Sequence, residues 1–196
     1  TKFPIIDAFL SVPREKFVPD GKREAAYIGE NFKIGQSRVI LEPRTLAKLL
    51  DALDIHNDEL VLDIGIGLGY SSAIISLIAE VVIAVEDDSS LASEAEEILS
   101  EIGVDNVVVQ VSKLEEGAPE HGPYDVVILQ GGIEEIPVSI LNQLKDGGRI
   151  GAIFVEQGLG TAKIGFKLND KINWRYSFNA AAPVLPGFFK QKDFAL

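Results

Sequence analysis

The residues whose types and spacing best suit chemistry are three glycines and two acids near the middle of the chain. Asp63 precedes Gly65, Gly67 and Gly69. Glu86 follows the apolar run at 81–85 and comes 21 residues after the first glycine. Glycines let a backbone turn sharply and approach a ligand closely. An acid after the second strand of a βαβ unit can accept hydrogen bonds from both hydroxyls of a ribose. The pattern therefore predicts a βαβ unit that binds a cofactor containing a ribose.

NAD and S-adenosylmethionine (SAM) both contain a ribose, and the spacing favours SAM. The glycines read G-x-G-x-G, whereas dinucleotide folds use G-x-G-x-x-G. Asp63 stands just before the turn, where a carboxylate repels a pyrophosphate but suits a cationic amino-acid ligand. We therefore expect SAM to be held by the three glycines, by Asp63 at the turn or through water, and by Glu86 at the ribose. An NAD-dependent oxidoreductase is disfavoured, because no residues suited to hydride transfer accompany the turn.

The elements that position these residues follow from two kinds of apolar pattern. Nearly continuous β-branched runs are typical of parallel strands that are buried on both faces. Such runs occur at 60–64, 81–85, 107–111, 124–129 and 149–155. Helical patterns occur at 2–10, from Pro43 to Leu53, and at 70–79, 90–102 and 136–144. With two further strands at 162–168 and 172–178, we expect a doubly wound, mostly parallel α/β sheet of the Rossmann-like type with a C-terminal antiparallel hairpin.

Composition bounds the class of protein. The 196 residues include no cysteine, and the two histidines, His56 and His121, are far apart in polar surroundings. We therefore expect no disulfide, metal site or cysteine nucleophile, and no Ser-His-Asp triad. The formal net charge of −12 argues against a nucleic-acid partner, which usually meets a basic patch. No apolar run reaches the roughly 18 residues that span a bilayer, so we expect a cytoplasmic protein that does not enter membranes.

We expect one domain over residues 1–196. Residues 1–50 would form an N-terminal helical segment on the substrate side, and residues 51–196 a Rossmann-like core. Because the chain begins with Thr1, we expect a processed or truncated N-terminus.

Several segments together resemble the protein-L-isoaspartate O-methyltransferase family. The N-terminal Ala-Phe-Leu-Ser-Val-Pro-Arg-Glu-Lys-Phe-Val-Pro run at 8–19 is similar to a segment of that family, and the run at 61–70 resembles its first SAM motif. Later motifs at 123–128 and 141–149 and the Pro-Val-Leu-Pro run at 183–186 are also similar. The resemblance implies a SAM-dependent O-methyltransferase that acts on a carboxylate of damaged protein or peptide. It also implies that Leu114 and Gln130 flank the adenine and the methyl pocket.

The chain departs from the family pattern at two sites. Where the family has Gly-Gln-Thr-Ile-Ser-Gln-Pro, this sequence has Val39 and Leu41 in place of the two hydroxyl residues. After the third strand of the core, Lys113 replaces an aspartate that can reach the adenine amine, and lysine cannot accept that hydrogen bond. These departures leave two alternatives open: a different methyl acceptor, or a non-catalytic SAM-binding regulatory protein.

On the substrate side, three charged residues near the altered motif are candidates. Arg38 and Arg44 bracket it, and an arginine fork can pair with a substrate carboxylate. Glu42 is a third candidate, although it also suits the start of a helix. The alternative for the two arginines is that they cap or solvate that helix. Residues 183–189 would either cover the acceptor site or pack on the sheet.

Overall fold

The structure is a computed structural model that describes residues 1–19 and 21–190. Its strands in chain order are β1 (Phe32–Lys33), β2 (Val39–Ile40), β3 (Leu60–Ile64), β4 (Val81–Glu86), β5 (Val107–Val111), β6 (Tyr124–Ile133), β7 (Leu144–Glu156), β8 (Leu159–Leu168) and β9 (Lys171–Asn179). Its helices are α1 (Phe3–Ser11), α2 (Pro43–Leu53), α3 (Tyr70–Ser76), α4 (Ser89–Glu101) and α5 (Val138–Asn142). Short 3₁₀ turns lie at Arg14–Phe17, Arg23–Ala25 and Pro119–His121.

Seven of these strands form one sheet, in the order β5-β4-β3-β6-β7-β8-β9. The first five of that order are parallel, and β8 and β9 add antiparallel strands at one edge. The predicted doubly wound sheet with a C-terminal hairpin is confirmed. Because β3 lies between β4 and β6, the chain changes direction across the sheet beside β3. Open α/β sheets bind ligands at such a point, outside the carboxyl ends of the strands.

Both faces of the sheet are covered, as the uninterrupted apolar strands predict. One face packs on α1, α2 and α3, and Leu46, Leu49, Leu50 and Leu53 of α2 are all buried there. On the other face, a second buried cluster gathers residues of β6 and β7 with α5 and the C-terminal segment, including Leu185 and Phe188.

Local chemistry sets the ends of the helices. Asp88 precedes α4, and its Oδ1 accepts hydrogen bonds from the amides of Ser90 and Leu91, which are otherwise unpaired at a helix start. Helix α4 is followed by Gly103, whose φ of 77° is the left-handed conformation that commonly ends helices. Asn169 and Asp170, with φ of 49° and 60°, form the polar turn expected between β8 and β9.

Several predicted boundaries differ from the structure, and three of the differences have a local explanation. The helix expected at 136–144 is only α5, because Pro137 precedes it and Leu144 already pairs with Tyr124 as the first residue of β7. The fourth core strand runs on to Ile133 instead of ending at Leu129, since its last residues still pair with β7. The helix expected to reach residue 79 stops at Ser76, whose carbonyl accepts a hydrogen bond from the side chain of Asn106.

Candidate active site

The predicted glycine turn joins β3 to α3 at the carboxyl edge of the sheet. Gly65, Gly67 and Gly69 all have left-handed φ values, of 81°, 57° and 89°. The amide of Gly65 donates to the carbonyl of Val85 at 2.8 Å, which ties the turn to the end of β4. The turn therefore lies directly beside Glu86, the last residue of β4.

Glu86 is fully buried, and four donors of the chain point at its carboxylate. Its Oε2 accepts from the Gly67 amide at 2.7 Å, and its Oε1 accepts from the amides of Asp87 and Asp88 at 3.1 and 3.2 Å. The fourth donor is the guanidinium of Arg38, which forms a buried ion pair with Oε2. Burial raises the pKa of Glu86 to about 7, and the charge of Arg38 limits that rise.

The ion pair places Arg38 on the cofactor side of the site. Its Nη1 also lies 3.4 Å from Oδ1 of Asp87, and only 9% of its side chain is exposed. A substrate carboxylate was the expected partner of this arginine, whereas the structure pairs it with the acid predicted to hold the ribose. Arg38 thus lies where the ribose was predicted to bind Glu86, and Glu86 lies where a substrate carboxylate was predicted to bind Arg38.

Asp63 lies beneath the turn and holds it in place. It is fully buried, and its Oδ2 accepts hydrogen bonds from the hydroxyls of Ser71 and Ser72 at 2.6 and 2.7 Å. Its Oδ1 accepts from the side-chain amide of Gln130 at 2.6 Å. Burial raises the pKa of Asp63, and these three hydrogen bonds oppose the rise. Asp63 therefore connects the turn, α3 and β6, the first of the two roles expected for it.

Side chains from two distant segments cover the glycine turn. A Cβ atom on Gly67 would collide with Cδ1 of Ile34, and one on Gly65 would meet Leu185 at 3.3 Å. Leu185 also lies over Gly131 in β6, where an added Cβ would come within 2.6 Å of it. The turn therefore supplies backbone close to Glu86, but the chain's own side chains take the adjacent space.

The site has chemistry that suits SAM, but side chains of the protein lie at the positions predicted for it. The acid at the end of β4 and the amides of the turn match a ribose and an amino-acid end. In the described arrangement, however, Arg38 holds Glu86, and Ile34 and Leu185 lie on the turn. A ribose at Glu86 would therefore meet Arg38, and a cofactor on the turn would meet Ile34 and Leu185.

The residues expected near the adenine lie at different depths. Leu114 is fully buried in the second core cluster, and Gln130 is buried with its amide on Asp63. Lys113, which replaces an aspartate of the family pattern, points to solvent and pairs with Glu116 at 3.0 Å. Its charge therefore faces away from the buried site.

The expected substrate side is largely apolar. Leu41 is buried and lines a small cavity together with Ile66 and Tyr70. The polar residues Ser71 and Gln130 line the same cavity.

The other two candidates lie at the start of α2. Glu42 precedes the helix and accepts a hydrogen bond from the Thr45 hydroxyl at 2.7 Å, while Arg44 is exposed on the first turn. The structure thus brings Arg38 to Glu86 but leaves Glu42 and Arg44 in local positions at this helix.

Both histidines are exposed, and among the described residues no three His, Asp or Glu side chains cluster as a metal site would require.

Sequence reasoning did not single out Arg14, Ile34 or Asn31, and it named Leu185 only within residues 183–189, which were expected to cover the acceptor site or pack on the sheet. Arg14 is buried with its guanidinium 4.6 Å from the centre of the Tyr70 ring, and its Nε donates to the carbonyl of Ala26 at 2.8 Å. Burial lowers its pKa. The only sequence signal for Arg14 was its place in the N-terminal segment that resembles the family.

In the part of the chain that the structure describes, no helix has the length and apolar character needed to cross a bilayer.

Comparison with known proteins places this site in a family. The sequence model of the family described as protein-L-isoaspartate(D-aspartate) O-methyltransferase matches residues 2–175. The chain is 35% identical over 146 residues to a protein-L-isoaspartate O-methyltransferase of Syntrophus aciditrophicus, covering 74% of this chain and 67% of that protein. It is 39% identical over 142 residues to one of Methanocella arvoryzae, covering 71% of this chain and 76% of that protein.

Solved structures agree on the fold. A protein-L-isoaspartate O-methyltransferase superposes with a TM-score of 0.85 at 24% identity, covering 95% of this chain and 62% of that one. A Plasmodium falciparum protein of the same name, in complex with S-adenosyl-L-homocysteine (SAH), has a TM-score of 0.80 at 19% identity and covers 94% of this chain and 90% of that one. The present chain thus spans roughly two thirds of the length of several of these relatives. From the match of the family model across most of its length, this chain belongs to the protein-L-isoaspartate(D-aspartate) O-methyltransferase family.

Proposed function

We propose that this chain is a SAM-dependent O-methyltransferase that methylates a carboxylate of damaged protein or peptide, as the names of its relatives indicate. The observation that carries the proposal is the position of Glu86, which is buried at the end of β4 and lies 2.7 Å from the amide of Gly67. A carboxylate at this point of a doubly wound sheet suits ribose hydroxyls. The bound SAH of the Plasmodium falciparum relative supports the same cofactor class.

The proposed chemistry makes few demands on ionisable side chains. An acceptor carboxylate is already ionised at neutral pH, so that it needs no general base. The protein has to align the reactants and keep water out. The buried surroundings of Glu86 and Gln130 suit that task. The high negative charge of the chain, −12, supports a protein or peptide acceptor over a nucleic acid. We propose that the activity takes place in the cytoplasm.

A different acceptor is a second candidate, and the burial of Leu41 favours it. Only 1% of this side chain is exposed, and it packs with Ile66 and Tyr70 around a very small cavity of about 10 Å³. Leucine offers no hydrogen bond to an acceptor carboxylate at the position where the family pattern has a hydroxyl. A less polar acceptor would suit such a wall better.

Transfer of a labelled methyl group from SAM tests the proposal. The full chain is incubated with a peptide that contains one isoaspartyl residue and, in parallel, with the same peptide containing normal aspartate. We expect base-labile methyl ester on the isoaspartyl peptide alone. If neither peptide is labelled while a less polar acceptor is, the second candidate replaces the first. If nothing is labelled although SAH binds, the chain is a non-catalytic binding protein.

A further inference from the structure

Residues 31–41, here named the strap, form a small unit that lies over the predicted cofactor site. The unit contains β1 and β2, whose two residue pairs are closed by a turn in which the amides of Ile34 and Gly35 donate to the carbonyl of Arg38. The backbone hydrogen bonds of the hairpin are therefore internal to it, and the hairpin can shift without breaking the seven-stranded sheet, whereas Ile40 and Leu41 at the end of the strap are buried in the core.

Two side chains of the strap reach the site from the same hairpin. Ile34 lies against Gly67, so closely that a single added Cβ on the glycine would collide with it. Arg38 reaches past the turn to Glu86 and Asp87. One covers the backbone of the turn, and the other neutralises the acid beside it.

The hydrogen bonds of Glu86 show what a ribose must displace. A carboxylate has about four acceptor positions, and the four donors to Glu86 are Arg38 and the amides of Gly67, Asp87 and Asp88. The three amides belong to the turn and to the residues directly after β4, so they are fixed by the fold. Arg38 alone comes from a separate segment. A ribose hydroxyl that binds Glu86 therefore competes first with Arg38.

The strap is also tied to the C-terminal segment that covers the other side of the turn. The side chain of Asn31 donates to the carbonyl of Ala181 at 2.6 Å and accepts from the amide of Glu42 at 2.9 Å. Leu185, four residues beyond Ala181, lies on Gly65 and Gly131. The two covering segments are thus linked at one asparagine.

We propose that the strap is an autoinhibitory cover, in which Arg38 and Ile34 occupy the ribose and turn positions until the cofactor displaces them. The inference rests on the proposed function, since it takes SAM or SAH as the ligand. When only a fraction of the molecules is in the conformation that binds a ligand, the apparent Kd rises in inverse proportion to that fraction. Residues that stabilise the closed strap therefore lower the affinity for the cofactor.

Calorimetric titration of the full chain with SAH at pH 9, where Glu86 is ionised in the wild type, tests this inference. Arg38→Gln keeps a polar side chain and installs the residue of the family pattern, but it removes the charge that holds Glu86. We expect the Kd for SAH to fall at least tenfold. Ile34→Ala removes only the contact with Gly67 and is expected to lower Kd by a smaller factor. Arg175→Gln, an equal change of charge on exposed β9, is expected to leave Kd within twofold of the wild type.

The outcomes separate this inference from the proposed function. If wild type binds SAH and both strap variants bind equally or more weakly, the strap contributes to the site and the inference is wrong, although the cofactor proposal stands. If no variant binds SAH at millimolar concentration, the cofactor proposal fails and the inference fails with it. Ile34→Ala keeps the buried ion pair, so it remains informative if Arg38→Gln unfolds.

Discussion

The amide nitrogen of Gly67 lies 2.7 Å from Oε2 of Glu86, and this hydrogen bond joins the glycine turn to the neighbouring strand. The contact exists because β3 and β4 are parallel neighbours with Ile64 opposite Val85, so that both strands end at the same edge. Two features that are well separated in the sequence therefore form one buried site.

The stability of the free chain should fall as the pH rises from about 4.5 to about 7. The pKa of Glu86 is raised from 4.5 to about 7 by burial, so in this range the folded state holds a proton that the unfolded state has lost. The contribution of this bound proton to the stability of the folded state is complete below pH 4.5 and is lost as the pH passes 7. A shift of this size corresponds to roughly 3 kcal/mol. Burial raises the pKa of Asp63 as well, which adds a change of the same sign.

Urea unfolding between pH 4.5 and 8 measures this effect. Glu86→Gln removes the titrating group, so its stability should depend less on pH than that of the wild type. Glu94→Gln on the exposed face of α4 serves as the control and should follow the wild type. Parallel curves for wild type and Glu86→Gln would show that Glu86 titrates normally.

Asp63→Asn should destabilise the protein by about 2–4 kcal/mol. The carboxylate accepts three hydrogen bonds in a fully buried position, whereas an asparagine presents an amide donor to at least one of the same donors. The free energy of unfolding in urea gives the comparison, with Asp58→Asn at an exposed loop position as the control. Equal stability of the two variants would contradict the role of Asp63 in holding the turn.

Gly67→Ala should cost more stability than Gly158→Ala. Both glycines have left-handed φ values, of 57° and 82°, which cost an alanine about 1–2 kcal/mol. Only at Gly67 does the added methyl group also collide with Ile34, whereas the space around Gly158 is open. Overpacking of this kind typically adds about 1–3 kcal/mol.

The double variant Gly67→Ala/Ile34→Ala checks the cause of that difference. We expect its unfolding free energy to exceed the value predicted from adding the two single effects, because the second change relieves the collision. Simple additivity would show that the strap does not rest on Gly67.

Val39→Thr should raise kcat/KM for an isoaspartyl peptide roughly tenfold. The change restores one hydroxyl of the family pattern at a half-buried position, and a hydrogen bond to a charged group contributes about 1.5–3 kcal/mol. Val108→Thr on β5 makes the same substitution away from the site. No gain at residue 39, or an equal gain at both positions, would favour the second candidate, a different methyl acceptor.

Patterns along the chain predicted the parts of the fold that depend on local sequence. Continuous β-branched runs gave the parallel strands, and the glycine spacing gave the turn between β3 and α3. The position of Glu86 followed from these two, because parallel neighbours end at one edge of a sheet. The sequence left two roles open for Asp63, at the turn or through water at the SAM ammonium, and its three hydrogen-bond partners were not predictable.

A cover by residues 183–189 was one of two expectations from the sequence, but the contacts that cover the site were not predictable in this way. The contacts of Ile34 with Gly67, Arg38 with Glu86 and Leu185 with Gly131 join residues that are far apart in the sequence, and no periodicity records them. Strands of two residues, such as β1 and β2, are too short to give an alternating pattern. The reach of β7 back to Leu144, which shortened α5, likewise depends on pairing with Tyr124.

Titration of wild type and Glu86→Gln with SAH tests most directly whether the buried acid beside the glycine turn holds the cofactor. We expect wild type to bind SAH with one site per chain, and Glu86→Gln to bind at least tenfold more weakly while remaining folded by circular dichroism. Failure of the wild type to bind at millimolar SAH, or equal affinity of the two proteins, would contradict the account.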